Sequence, residues 1–401
     1  MINRPGFPAR ITFLFMKLSL IPSTLRPIAE KIERNERVSE QDALQLYRSN
    51  DLNALGLMAN VVRERKNGNV ATYILNRYIN YSNICVLSCQ FCAFAAKKRD
   101  AHAFENSADE IVAAVREALA SGITEVHMVG GLHPTLDKQW YVDLLGRLRA
   151  LDRQLQLKAF TAIEIRHLAR RIFKTSIAET LTTLREAGLG SLTGGGAEIF
   201  DPSVREELCR GKETAAEWLE VHRTWHQMGG RSTCTMLYGH IENVEHRVDH
   251  LRQLRELQDE TGGFTAFIPF AFEPGESTVL SHLPRATAFE QLRNLAVSRV
   301  YLDNFDHLTA YWVSTGLPLA QVALSYGVDD LHGTIMREKI FHMAGATTPE
   351  EQTAETLRHA IREAGREPME RDSYYNHLSS AQSVAAAAKA ASEAEGELVC
   401  A

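Results

Sequence analysis

Ser107-Ala-Asp-Glu-Ile-Val-Ala-Ala-Val-Arg-Glu-Ala-Leu-Ala-Ser-Gly-Ile-Thr-Glu-Val-His-Met-Val-Gly-Gly131 contains one complete unit of helix, turn and strand. Ser107, followed three residues later by Glu110, is a capping box, and Ile111, Val112, Val115 and Leu119 lay down one apolar stripe before Gly122 stops the helix. Thr124 to Val129 then reads as a strand running into Gly130-Gly131. The unit recurs downstream, with helices over 137–151, 174–187, 214–228, 244–260, 287–301 and 318–326. Strands are predicted over 156–162, 190–194, 231–238, 263–270, 308–313 and near 331–335, and upstream over 73–84. Seven or eight βα units in this length predict an α/β fold, a TIM-type (β/α)8-like barrel. A doubly wound sheet is the alternative, because strand count alone does not establish closure.

The chain has 401 residues, which suits one large barrel with extensions. Residues 1–68 read as an N-terminal extension ending in a helical hairpin, one helix capped by Ser39 and a second carrying Leu52, Leu55, Met58 and Val62. Its first 35 residues show no clear period, and Met16 is an alternative start. Residues 69–345 form the barrel and 346–376 a C-terminal helical segment packing on it. Residues 377–401, rich in Ala, Ser, Glu and Lys, read as a low-complexity tail without order. A chain that is 45% hydrophobic and 23% charged belongs to neither the disordered nor the disulfide-scaffold class. No apolar run is long enough to span a membrane, and Ile11 to Met16 lacks the cleavage site of a signal peptide. A formal net charge of −6 argues against nucleic acid as a partner.

Six cysteines stand at 85, 89, 92, 209, 234 and 400, three clustered and three scattered, which is no disulfide pattern. Cys85-Val-Leu-Ser-Cys89-Gln-Phe-Cys92 follows the first strand directly. Three thiolates at this spacing suit three irons of a [4Fe–4S] cubane, leaving the fourth iron open for a small chelator. Zinc is the competing metal and wants a fourth Cys or His, with His102 ten residues on. Three buried free cysteines are the plain alternative.

The loop, with Phe91 before its last cysteine, resembles the signature of the radical S-adenosylmethionine (SAM) superfamily. That resemblance implies a [4Fe–4S] cluster on Cys85, Cys89 and Cys92, with SAM on the open iron as the source of a 5′-deoxyadenosyl radical. It brings Phe91 to the cofactor, Gly130 and Gly131 to the SAM amino group, and Glu273 with Pro274-Gly275 to the rim near adenine. Read alone, Gly130-Gly131 is a strand-to-helix turn. Glu164, and Glu198 behind Gly194-Gly195-Gly196, suit the ribose or amino group of SAM and equally suit helix capping. His240, in Tyr238-Gly239-His240 at a strand C-terminus, is the candidate for substrate contact or proton transfer. Arg77, Arg166 and Arg299 are candidate carboxylate clamps. His222/His226 and His246/His250 lie one helical turn apart on outer helices and read as surface histidines.

Asn83-Ile-Cys85, Gly194 to Phe200, Met236 to Ile241 and Gln258 to Phe264 are similar to the group of aminofutalosine synthase, dehypoxanthine futalosine cyclase and the deazaflavin-forming synthase subunits. Gly130 to Pro134, Leu302 to Trp312 and Arg371 to Asn376 are most similar to the aminofutalosine synthase branch. That branch implies addition of the 5′-deoxyadenosyl radical to 3-[(1-carboxyvinyl)oxy]benzoate, then rearrangement and decarboxylation to 6-amino-6-deoxyfutalosine for menaquinone biosynthesis. SAM is consumed, so the enzyme is formally a transferase. The expected partners are a small molecule with two carboxylates and a cellular one-electron reductant, with a homodimer kept open and no membrane insertion. An oxygen-labile cluster implies a cytoplasmic location. The alternatives are the cyclase or deazaflavin-cofactor synthase chemistry and, from another class, a non-enzymatic zinc-binding barrel.

Overall fold

The computed structural model describes residues 16–378, so nearly all of the expected 377–401 tail lies outside the described residues. Its strands are β1 (Val70–Ile74), β2 (Asn76–Ile79), β3 (Glu125–Met128), β4 (Gln156–Ala159) and β5 (Ser191–Leu192), then β6 (Arg231–Tyr238), β7 (Phe264–Ala271), β8 (His307–Leu308), β9 (Asp330–Gly333) and β10 (Glu367–Glu370). β2 to β8 form one parallel sheet in chain order, and β10-β1-β9 form a second, smaller parallel sheet. This is the α/β barrel of the sequence analysis, with one departure from regular (β/α)8 geometry. The stretch 73–84, read as one strand, breaks at Leu75 into β1 and β2, which join different sheets.

β9 fills the gap between the two ends of the larger sheet through single main-chain bonds. The amide of Asp329 donates to Leu308 O at 3.1 Å and that of Ala310 to Asp330 O at 2.9 Å. Across the strand, Thr334 N reaches Ile74 O at 3.1 Å and Tyr78 N reaches Ile335 O at 2.7 Å. After β9 the chain turns through Ile335, Met336 and Arg337, all at φ between 53° and 67°. That left-handed region is costly for a β-branched residue and persists only where neighbours over-determine it. Asn76 supplies the constraint, its Oδ1 accepting from Ile335 N at 2.8 Å while its own amide and carbonyl hold the Thr334 hydroxyl.

The helices open at capping boxes, at Ser107/Glu110 as the sequence predicts, at Ser39/Asp42 where Ser39 reads as the cap, and also at Ser176/Glu179 and Thr214/Glu217. The hairpin helices Glu40–Arg48 and Leu52–Asn67 lie on the outer helices Val244–Thr261 and Ala288–Tyr301. Tyr47 Oη fixes that contact by donating to Asn294 Oδ1 at 2.7 Å. Arg26–Glu33 adds a helix in the stretch read as aperiodic. The C-terminal segment is helical over Ala354–Glu363 but ends in β10, a strand the sequence analysis did not anticipate.

The outer-helix histidines differ from expectation. His222, His226 and His250 are buried, and only His246 is half-exposed. Their helix faces pack on β6, where imidazole is tolerated because a partner waits for it. Ser232 Oγ meets His222 Nδ1 and His226 Nε2, each at 2.8 Å, and Thr235 O meets His250 Nε2 at 2.9 Å. Burial lowers the pKa of all three, holding them neutral.

Candidate active site

One cavity opens at the C-terminal ends of the strands, where parallel barrels place their chemistry. Cys85, Cys89, Phe91 and Cys92 form one wall. Their loop has no regular structure and is fastened at both ends. Asn83 donates to His102 O at 2.9 Å and accepts from Phe104 N at 2.7 Å. Lys97 Nζ reaches Cys85 O at 3.0 Å and Leu87 O at 2.7 Å. The three cysteines are half-buried free thiols, and burial raises the pKa of Cys92 and pushes that of Cys89 up to about 12. Metal binding here therefore has to displace protons. Among the described residues no three His, Cys, Asp or Glu side chains converge on one metal ion. A cubane does not require that convergence, because each thiolate binds a different iron. The donor set thus fits a cluster better than mononuclear zinc, and the zinc-binding barrel finds no geometric support.

Gly130 and Gly131 line the cavity where two loops press together. A methyl group on Gly131 would fall 2.4 Å from Ile84 O, and one on Gly130 would fall 2.5 Å from the Tyr81 ring. Val86 N donates to Leu132 O at 3.1 Å, joining this turn to the cysteine loop. Glu164 fixes it from below. Its Oε1 accepts Tyr81 Oη at 2.7 Å and Gly130 N at 3.0 Å. Its Oε2 accepts the Thr161 amide and hydroxyl at 2.8 and 2.7 Å. Of the two readings of Glu164, this geometry is the capping box of helix Ala162–His167, aimed so that it also holds Gly130.

Gly194 approaches β6 as closely, a methyl there falling 2.5 Å from Cys234 Cα, so Cys234 is a packing residue. Glu198 lines the cavity at φ 44° and pairs with Lys212, whose ammonium lies 5.4 Å from the centre of the Phe91 ring. Glu273 is on the opposite rim, paired with Arg285.

His240 is placed elsewhere. It does not line this cavity, and its ring nitrogens are engaged, Nε2 with Leu237 O at 2.9 Å and Nδ1 with Ile241 N at 2.7 Å. A proton-transfer role for His240 has no geometric support. The three arginines stay out as well: Arg77 binds Met336 O, Arg166 binds Glu217, and Arg299 pairs with Asp329 beneath the barrel wall. Lys212 is the one lysine or arginine among the described residues lining the cavity.

The cavity floor was not anticipated. Tyr78, His127, Tyr311 and His332 come together there from β2, β3, the segment after β8, and β9. Tyr78 Oη lies 2.5 Å from His332 Nε2, and the Tyr78 and His127 rings stack at 4.3 Å. His127 is the middle of the strand motif Glu-Val-His-Met, and its alternation with buried Val126 and Met128 is the one sequence signal that it faces inward.

Known proteins resemble this chain in sequence and in fold. Residues 79–254 match the radical SAM superfamily and residues 261–384 the CofH/MqnC C-terminal region. The chain is 44% identical over 357 residues to the aminodeoxyfutalosine synthase of Thermus thermophilus, covering 88% of this chain and 96% of that one. It is 37% identical over 358 residues to the cyclic dehypoxanthine futalosine synthase of Streptomyces coelicolor, covering 88% and 89%. Among solved structures, methylornithine synthase superposes with a TM-score of 0.70 at 17% identity, over 85% of this chain and 97% of that one, a likeness of fold.

Proposed function

The chain belongs to the radical SAM superfamily, in the group with a CofH/MqnC C-terminal region, and from that membership we propose that it joins a 5′-deoxyadenosyl group to 3-[(1-carboxyvinyl)oxy]benzoate, giving 6-amino-6-deoxyfutalosine for menaquinone biosynthesis. The observation that carries the reading is the opening of the cysteine loop onto a cavity that combines carboxylates with uncharged rings. Glu164, Glu198, Glu273 and Glu338 line it together with Tyr78, His127, Tyr311 and His332.

The residues present fit the family's cofactors. Among the described residues Cys85, Cys89 and Cys92 are the cysteines lining the cavity, and three soft thiolates would leave one iron of a [4Fe–4S] cluster for SAM. When bound, cluster and SAM together supply a 5′-deoxyadenosyl radical. Glu164 holds the Gly130 turn at the height of the cysteine loop, leaving the Gly131 backbone close beside it. Glu198, paired with Lys212, would meet the ribose or amino group of bound SAM, and Glu273, paired with Arg285, the side of its adenine, as the family membership implies. Phe270, Phe272, Ile268 and Leu237 exclude water from the space between the walls, which a carbon-centred radical requires. Addition to the vinyl carbon needs near-attack contact of roughly 3–3.5 Å, so the substrate lies between the cysteine wall and the floor. An electron must come from a cellular reductant.

The cyclase reading shares the cavity and the cofactors; the higher identity to the synthase favours addition over hydrogen abstraction. Anaerobically reconstituted protein, given SAM and the vinyl ether, is expected to release a product whose mass contains the adenosyl group. Free 5′-deoxyadenosine as the stoichiometric product, or turnover only with dehypoxanthine futalosine, overturns the proposal.

A further inference from the structure

His332 Nε2 lies 2.5 Å from Tyr78 Oη, and the Tyr311 ring stands edge-on to the imidazole with ring centres 5.1 Å apart. With Nε2 accepting from the phenol, the neutral ring carries its proton on Nδ1. That Nδ1 is buried, has no partner, and belongs to a residue lining the cavity. His127 Nδ1 instead lies 4.0 Å from the buried Glu125 carboxylate. A buried polar atom left unmatched, as His332 Nδ1 is, costs free energy that a bound partner relieves.

The shape of the floor restricts that ligand. Phe270 meets Tyr311 and Phe341 edge to face and Tyr311 lies tilted on Phe341, ring centres 5.0–5.9 Å apart, and the Tyr78 ring closes the side against His127. A flat aromatic ring fits against this surface. Lys212, already paired with Glu198, is the one lysine or arginine lining the cavity among the described residues, so an anion at the floor has to be held by neutral donors.

We propose that the Tyr78–His332 pair is the carboxylate-anchoring subsite of the floor, His332 Nδ1–H donating to the carboxylate of an aromatic acid. Two further observations agree. Burial lowers the pKa of His332 to about 3, so it donates a hydrogen bond and does not yield a second proton. Its backbone sits at φ 64°, a strained conformation held by Asp330 Oδ1 accepting from His332 N at 3.0 Å. His332 is thereby a substrate-contacting residue, and Tyr78 is a positioning residue that sets its tautomer. The identity of the acid rests on the function proposed above; the recognition of an aromatic carboxylate does not.

The test uses the anaerobic holoenzyme with 3-methoxybenzoate and its uncharged counterpart 3-methoxytoluene as competing probes of the vinyl-ether substrate. Wild type is expected to bind the benzoate tighter by on the order of 10- to 100-fold, the range of one hydrogen bond to a charged group. Tyr78→Phe and His332→Leu should erase that preference while iron content and SAM affinity hold. His332→Asn, which tolerates a left-handed backbone and keeps an N–H donor, should retain most of it. An unchanged benzoate preference in both Tyr78→Phe and His332→Leu overturns the subsite. A wild-type enzyme that binds the benzoate through His332 yet makes no adenosylated product overturns the substrate assignment and leaves the subsite standing.

Discussion

The Tyr81 hydroxyl and the Glu164 carboxylate meet at 2.7 Å, and the same carboxylate oxygen receives the Gly130 amide. One side chain therefore caps a helix, orients a buried phenol and sets the height of the glycine turn facing the cysteine loop. Glu164→Gln puts an NH2 where only donors converge, and should lower unfolding stability by about 1–3 kcal/mol. Gly130→Ala should cost a similar amount by overpacking against Tyr81 and should also weaken SAM binding. Urea unfolding and equilibrium SAM titration check the pair.

Cys89→Ala removes one of three thiolates from a loop that Asn83 and Lys97 fasten independently of any metal. The variant should fold with unchanged circular dichroism and assemble no stable cluster. Iron and sulfide analysis after reconstitution reads the first effect, and global unfolding would point to a structural metal instead.

Lys212→Met leaves Glu198 as a buried anion without its partner, a loss of about 3–5 kcal/mol. The ammonium also lies close enough to Cys89 for each to act on the other electrostatically. Its removal should make the cluster harder to reduce. A redox titration followed by electron paramagnetic resonance should show a more negative potential.

Asn76→Ala strips the constraint from the left-handed turn at Ile335, Met336 and Arg337. Stability should fall by about 1–3 kcal/mol, the cost of leaving the buried Ile335 amide without its acceptor. Amide exchange should accelerate at residues 335–337 before it does in the rest of the barrel.

His342 hydrogen-bonds Glu338, which also caps the short helix Ile340–Met343 at the cavity edge, and this raises its pKa from 6.5 to about 9. A histidine pKa raised by folding adds stability that is complete below pH 6.5 and lost as pH climbs through 9. Melting temperature should therefore decline across that interval, and His342→Gln should flatten the decline.

Much of the barrel was legible because its signals are local. Ser107 with Glu110, Ser176 with Glu179 and Thr214 with Glu217 each announce a helix start within four residues, and the structure opens helices at all three. The cysteine wall was legible for the same reason. What stayed hidden depends on distant partners. Val70 pairs with Glu367, and nothing near either residue encodes the pairing. His332 looked like one more strand residue, and only the approach of Tyr78 from β2 makes it a floor donor. His240 misled in the opposite sense, since its position at a strand end carries no information about which atoms its ring meets.

The barrel's seam ties the beginning of the chain to its end. β1 takes β9 on one edge and β10 on the other, so its neighbours are made some 260 and 300 residues after it. At ordinary synthesis rates of roughly 5–20 residues per second, that interval lasts on the order of 10–60 s. During it β1 has no sheet partner, and the Tyr78 hydroxyl has no imidazole from β9. The wall that faces the cysteines is thus assembled early, and the floor that grips the substrate is the last surface of the enzyme to come into being.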